Sequence, residues 1–195
     1  MEPEGYLELI LGPMFSGKTT QLIQHYKKFT YIGKKTVVIN YAEDKRYHDS
    51  MLSTHDKIMI PCLFAKTLTE IWSQQKLAYD VFIINEGQFF SDLYSVVLDM
   101  VENHQKTVYI CGLDGDFKRQ KFGQILDLIP YCNRVEKLNS LCAICKNGKP
   151  GIFSHRMTQE KDQVVIGSDN YQPLCRTCYR GCNPHTTISP VIYPH

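Results

Sequence analysis

Residues 12–19 read Gly-Pro-Met-Phe-Ser-Gly-Lys-Thr, a G-x-x-x-x-G-K-[ST] pattern. The run Tyr-Leu-Glu-Leu-Ile-Leu at 6–11 precedes it and is short enough for a buried strand. Residues 20–29 follow with the spacing of an amphipathic helix. Strand, loop and helix in that order are the context that makes the pattern a phosphate-binding loop. Gly12 and Gly17 permit backbone angles that a side chain forbids. The loop N–H groups then turn inward around phosphate oxygens at a helix N-terminus. Gly12, Pro13, Met14, Phe15, Ser16, Gly17, Lys18 and Thr19 are therefore candidate residues for binding nucleotide phosphates. Lys18 offers a charge to the β- and γ-phosphates, and Thr19 a hydroxyl to Mg²⁺.

The chain beyond the loop alternates strand and helix signals. Residues 36–40 form a short β-branched run, and 41–51 is polar and reads as a loop. Residues 63–79 have helical spacing around Leu68, Ile71 and Trp72. The run Val-Phe-Ile-Ile at 81–84 is continuously apolar, as in a strand covered on both faces. Residues 92–104 carry a helical stripe, and 107–111 form another buried strand. This alternation predicts an α/β fold: a P-loop, RecA-like parallel sheet flanked by helices, with right-handed crossovers. Ligands in such sheets sit beyond the carboxyl ends of the strands.

Chemistry is expected at two further strand ends. After residues 81–84 comes Asn85-Glu86-Gly87-Gln88-Phe89-Phe90. A carboxylate there can hold Mg²⁺ or take a proton from an attacking hydroxyl. P-loop enzymes usually place a metal-linked Asp at this point; this chain has Asn85, with Glu86 one residue on. A surface acid is the bland alternative, but an unpaired charge between an apolar strand and Phe89-Phe90 is costly. After 107–111 comes Gly112-Leu113-Asp114-Gly115-Asp116-Phe117-Lys118-Arg119-Gln120-Lys121-Phe122-Gly123. Its basic cluster can contact phosphates and its two phenylalanines can flank a flat base; a turn with core aromatics and a solvated basic face explains it equally well.

The last quarter carries Cys142-Ala143-Ile144-Cys145 and Cys175-Arg176-Thr177-Cys178. Two such knuckles supply four thiolates for a closed tetrahedral zinc site, which makes the metal structural. A redox role for one C-x-x-C does not account for the pair. Cys182 is a spare thiol, and Cys62, Cys111 and Cys132 read as buried apolar residues. Residues 147–162 are polar without a clear period, 164–167 form a short strand before Tyr171, and the prolines beyond Cys182 predict an irregular tail. The expected domains are a nucleotide-binding unit over 1–138, a zinc-binding unit over 139–182, and a tail over 183–195.

The 195-residue chain carries a formal net charge of only +2, so no strong nucleic-acid or membrane footprint is expected. No apolar run reaches the roughly 18 residues of a membrane span. The acidic start Met1-Glu2-Pro3-Glu4-Gly5 lacks signal-peptide regions, and eight cysteines in an intracellular chain fit thiols and metal ligands. A cytoplasmic protein is expected.

Together these features resemble the type II thymidine kinases, a zinc-containing family of cellular and viral enzymes, over residues 7–179. The specific elements are G-P-M-F-S-G-K-T, E-G-Q-F-F at 86–90, L-D-G-D-F-K-R-Q-K-F-G at 113–123, and the paired cysteines. The resemblance implies transfer of the ATP γ-phosphoryl to the 5′-hydroxyl of thymidine, with Glu86 as general base. It assigns Asp44, Lys45, Arg46, Asn85 and Gln88 to the nucleotide and metal. It assigns Met14, Phe89, Leu113, Phe117 and Phe122 to the thymine pocket. It makes the segment between the knuckles a substrate lasso, in which the Val164, Val165, Ile166 and Gly167 backbone reads the base edge and Tyr171 holds the nucleoside. It also implies a homotetramer. Two other classes fit parts of the sequence: a P-loop ATPase gripping nucleic acid with its ribbon, and a nucleotide-binding regulator without catalysis, for which Asn85 is the hint.

Overall fold

The structure, a computed structural model, describes residues 4–42, 51–53, 58–160, 162–164 and 170–183. In chain order the elements are β1 (Tyr6–Leu11), α1 (Lys18–Tyr31), β2 (Thr36–Tyr41), β3 (Met51–Ser53), β4 (Met59–Pro61), β5 (Leu63–Ala65), α2 (Leu68–Gln75), β6 (Val81–Ile84), α3 (Leu93–Leu98) and β7 (Thr107–Gly112). They continue as β8 (Arg134–Lys137), β9 (Ser140–Leu141), β10 (Pro150–Gly151), β11 (Phe153–Arg156), β12 (Tyr171–Leu174) and α4 (Arg176–Cys182). Six strands form one sheet in the order β5-β2-β6-β7-β1-β8, and each neighbouring pair is parallel. The α/β expectation holds.

Alternation along each strand divides the core between two faces. Leu7, Leu9 and Leu11 of β1 join Val37, Phe82, Ile84 and Ile110 beneath α2 and α3, with Leu68, Trp72, Leu93 and Val97. Ile10, Val38, Ile83 and Tyr109 point the other way, onto Leu22 and Ile23 of α1. Glu8 lies on that second face, buried, where the Tyr6 hydroxyl donates to it at 2.6 Å. Arg134 and His25 stand 3.8 and 4.0 Å from its other oxygen. Burial holds His25 below its ordinary pKa against the opposing pull of Glu8, and its ring stacks on Tyr109 at 4.1 Å.

Several local expectations are corrected. The helical pattern at 63–79 splits into β5 and α2, because Leu63, Phe64 and Ala65 pair with β2. Tyr41 and Met51, read as loop ends, belong to β2 and β3. The aperiodic stretch 147–162 contains β10 and β11. Val164 lies outside any strand, and 165–167 fall outside the described residues. Cys111 is buried as expected, but Cys62 and Cys132 are half-exposed. Cys182 ends α4, and the tail at 184–195 is outside the described residues.

The cysteine-rich segment has its own small core of Cys142, Leu174, Cys175 and Tyr179, with Phe153 packed on it. Two antiparallel pairs, β9 with β10 and β11 with β12, bring the knuckles together.

Candidate active site

Sheet register sets the spacing of the site. Leu11 pairs with Gly112, and Ile84 with Ile110. Gly12, Glu86 and Leu113 therefore leave adjacent strand ends at nearly one level. Glu86 and the loop are separated by two strand spacings, roughly 10 Å.

In the loop, Gly17 adopts φ 83°, the left-handed conformation that launches α1. Phe15 shares the left-handed region at φ 61° and is partly exposed. Ser16 donates to the Pro13 carbonyl at 2.9 Å, and the buried Lys18 ammonium donates to the same oxygen at 2.7 Å. The ammonium is thus held inside the loop it closes. Thr19 follows it in the first turn of α1.

Glu86 is buried and also left-handed, at φ 54° and ψ 45°. Such a backbone costs about 1–2 kcal/mol for a residue with a side chain. It turns the chain sharply after β6, so Gln88 comes back beside the carboxylate. The Gln88 amide nitrogen donates to Glu86 Oε2 at 2.6 Å, while its oxygen accepts the Leu113 N–H at 3.1 Å. Gln88 is itself buried, and the backbone crowds it. A Cβ at Gly112 would lie 2.4 Å from its Oε1, and one at Gly123 would lie 2.1 Å from its carbonyl oxygen. One carboxylate oxygen is therefore clamped by a bridge between β6 and β7.

Asn85 sits one residue earlier, buried between its neighbours. Its amide donates to Asn40 Oδ1 at 2.9 Å and accepts from the Cys111 thiol at 3.0 Å. It ties together the ends of β2, β6 and β7.

Aromatic rings line the next part of the same edge. Phe89 stacks on Tyr41 with centroids 5.2 Å apart and meets buried Phe122 edge-on at 5.4 Å. Phe117 is half-buried, and the Arg156 guanidinium lies 3.8 Å over its ring. Leu113 and Met14 are also half-buried along this edge. The basic residues of this loop rest on neighbouring groups, Lys118 over the Phe117 ring at 5.2 Å. Lys121 pairs with Asp127 at 2.6 Å, and Arg119 lies over Tyr179 and Phe153 at 4.9 and 5.5 Å.

The cysteine-rich segment meets this edge through specific polar contacts. The Met14 N–H donates to buried Ser154 Oγ at 3.0 Å, and the Tyr179 hydroxyl donates to the Phe117 carbonyl at 2.6 Å. The Gln163 amide donates to Asp116 Oδ2 at 2.9 Å. Asp116 Oδ1 in turn accepts the N–H groups of Lys118 and Gln120, both at 2.8 Å. Tyr171 receives Arg156 Nε at 3.2 Å.

The four cysteines fit zinc. Their sulfur atoms all lie within 4.8 Å of one another, and Cys145 Sγ is 3.5, 3.5 and 3.2 Å from those of Cys142, Cys175 and Cys178. Zn–S bonds of about 2.3 Å in a tetrahedron place sulfurs about 3.8 Å apart. At two of the four sulfurs the backbone also favours the thiolate, while hydrogen bonds among the sulfurs hold Cys145 and Cys178 up. Burial opposes ionisation of Cys142, yet N–H groups of Cys175, Cys145 and Ile144 bring it down to about 6. The Cys178 N–H likewise lowers Cys175. These amides stabilise negative sulfur, the form that binds metal.

Of the residues singled out by sequence, 12–19, 85, 86, 88, 89, 113, 117 and 122 meet at one edge, with Tyr171 joined to it through Arg156. Val164 follows Gln163 and is partly exposed. Asp44, Lys45, Arg46, Val165, Ile166 and Gly167 lie outside the described residues. Sequence reasoning missed Tyr41, Ser154, Arg156 and Tyr179. Only Asp116 had a local signal: an Asp followed by exposed N–H groups is an Asx-turn former.

Comparison with known proteins agrees with this arrangement. The family model described as "Thymidine kinase" matches residues 5–179. Thymidine kinase 1 of Dictyostelium discoideum is 40% identical over 180 residues, covering 90% of this chain and 78% of that protein. The thymidine kinase of Yaba monkey tumor virus is 40% identical over 176 residues, covering 90% and 94%. The cytosolic thymidine kinase of Homo sapiens is 39% identical over 176 residues, covering 90% and 73%. Reading the chain as a nucleic-acid-gripping ATPase is not favoured by these relatives. No helix among the described residues is long and apolar enough to cross a membrane. With the phosphate loop, the clamped strand-end glutamate and the four-cysteine cluster all falling inside the matched span, the chain belongs to the thymidine kinase family.

Proposed function

We propose that this chain transfers the γ-phosphoryl of ATP to the 5′-hydroxyl of thymidine, giving thymidine monophosphate. One observation carries the reading: a buried carboxylate, Glu86, with one oxygen clamped by Gln88, at the level of a phosphate loop two strands away. A carboxylate so held in place can take the hydroxyl proton as the phosphoryl group is transferred. The loop N–H groups bind the phosphates, and the Lys18 ammonium moves from the Pro13 carbonyl onto phosphate oxygen. Thr19 would hold Mg²⁺, with Asn85 and residues 44–46 assigned to the same region by the family pattern, and the ion would supply charge neutralisation for the transferring group. The remaining work is positioning.

Thymine lies against Phe89, Phe117 and Phe122, with Met14, Leu113 and Tyr171 closing the pocket. Backbone groups at 164–167 read the base edge. Residues 1–138 form the nucleotide-binding unit and 139–182 the zinc-binding lasso unit, with structural Zn²⁺ on Cys142, Cys145, Cys175 and Cys178. The enzyme works as a cytoplasmic homotetramer, without nucleic-acid or membrane partners. The cytosolic relatives and the near-neutral charge support this.

Incubation with radiolabelled thymidine and Mg-ATP tests the reading. Labelled thymidine monophosphate is expected in one-to-one ratio with ADP. Nucleotide-dependent ADP release without labelled product would replace it with an ATPase function.

A further inference from the structure

Arg156 is a buried cation in the zinc-binding unit, 5% exposed. Among the described residues, its hydrogen-bond acceptors are carbonyl and phenol oxygens. Nη1 donates to the carbonyls of Glu160, at 3.0 Å, and of Asp162. Nη2 donates to the Gln163 carbonyl at 3.1 Å and to the Tyr171 hydroxyl, which Nε also reaches. Its guanidinium lies 3.8 Å over Phe117 and 5.1 Å from the Tyr171 centroid. Burying a charge against neutral partners is costly, and a planar fork is the side chain that makes such a site work.

We infer that Arg156 is a positioning residue for the nucleoside, a role that rests on the thymidine kinase reading above. The cation covers one face of Phe117, a ring that the Lys118 ammonium also approaches at 5.2 Å from its centroid, so the face under Arg156 is closed to a flat base. The same fork fixes the Tyr171 hydroxyl and three carbonyls of the lasso stem. Gln163, whose carbonyl it holds, sends its side chain to Asp116 and to the Lys121 carbonyl, at 2.9 and 3.3 Å. Two aromatic rings from different units are thereby set in one relative geometry before substrate arrives. No contact of Arg156 with thymidine is required.

The test compares wild type, Arg156→Met, Arg156→Lys and Phe117→Leu, singly and as the Arg156→Met/Phe117→Leu double variant. Michaelis constants for thymidine and ATP, kcat and zinc content are measured for each. Arg156→Met is expected to raise the thymidine constant about tenfold or more, with the ATP constant and zinc content unchanged. Lysine keeps the charge but not the fork, so it recovers only part of the loss. The double variant is expected to be no worse than the poorer single one, since both changes disturb one stacking surface. Parallel changes in both Michaelis constants, full recovery by lysine, or additive effects would overturn the role. Should Arg156→Met fail to fold, Arg156→Lys carries the test through the thymidine-against-ATP comparison. Absence of thymidine turnover in wild type removes the function and this role together, whereas the variant outcomes remove the role alone.

Discussion

The sheet and the zinc-binding unit stabilise their halves of the site by different means. Around the phosphate loop, β1, β6 and β7 are buried on both faces, and the loop geometry follows from strands that apolar packing already fixes. Among the described residues, the core of the cysteine-rich segment is Cys142, Leu174, Cys175 and Tyr179. So small a core cannot sustain a fold by burial alone, and a metal or cross-link supplies the difference. Its attachment to the sheet is polar and local, through Ser154, Gln163 and Tyr179. The contrast suggests a division of labour: the phosphate loop is fixed by the packing of the sheet, whereas the segment that holds the four cysteines relies on that cluster and on a few hydrogen bonds.

Four experiments can break or sharpen this contrast. Glu86→Gln is expected to have the largest effect. Loss of the base costs about 10²–10⁴ in the chemical step, while ATP binding is retained because the loop is fixed by the sheet. Single-turnover rates and nucleotide titration read the two quantities separately. Wild-type chemistry in the variant would remove Glu86 from the reaction.

Cys142→Ser addresses the other region. Zinc binding to such sites contributes about 10–16 kcal/mol to folding, so loss of one thiolate should drop metal content well below one ion per chain. Thymidine affinity should fall while ATP affinity holds. Equal losses on both sides would mean that the sheet also needs the metal, and the division of labour would fail.

Ser154→Ala cuts the link between the units. It strands the Met14 N–H at a cost of about 1 kcal/mol, which corresponds to a fall in Tm of about 2–4 °C in a chain of this size. Differential scanning calorimetry measures it. No shift would show that water or another acceptor replaces the hydroxyl.

The smallest effect concerns protons. Each region holds one histidine below its ordinary pKa by burial: His25 under the sheet and His155 in the zinc-binding unit. As pH falls below about 6.5, the unfolded chain takes up these protons first. Stability is therefore full above that pH and is lost as pH drops toward the folded values. His25→Phe and His155→Phe should each flatten the decline of Tm between about pH 7 and 5. Unchanged slopes would assign the decline to other groups.

The parts legible in the sequence were those whose causes are local. Apolar runs named β1, β6 and β7, and a strand-loop-helix order placed the phosphate loop. Glu86 stood out because it ends a fully apolar strand. β8 was missed because Arg-Val-Glu-Lys at a sheet edge is mostly exposed and carries no apolar signal. β11 and β12 were missed because their pairing joins Phe153 to Leu174 across a long insertion, with Pro173 inside the second strand. Ser154 matters through Met14 and Arg156 through Phe117 and Tyr171, each on another element. The nearer carbonyls that Arg156 also holds belong to a stretch with no periodic signal.

The crowding around Gln88 bears on redesign of the enzyme. Gly112 and Gly123 leave no volume for even a methyl group beside it, so a substitution there would displace the amide that clamps Glu86. If Glu86 is the base, as proposed, changes on that side would cost turnover. Phe117 and Tyr171 offer a different wall, because their rings meet a side chain, Arg156, that can adjust. A library confined to those two rings would sample selectivity without touching the Gln88 clamp.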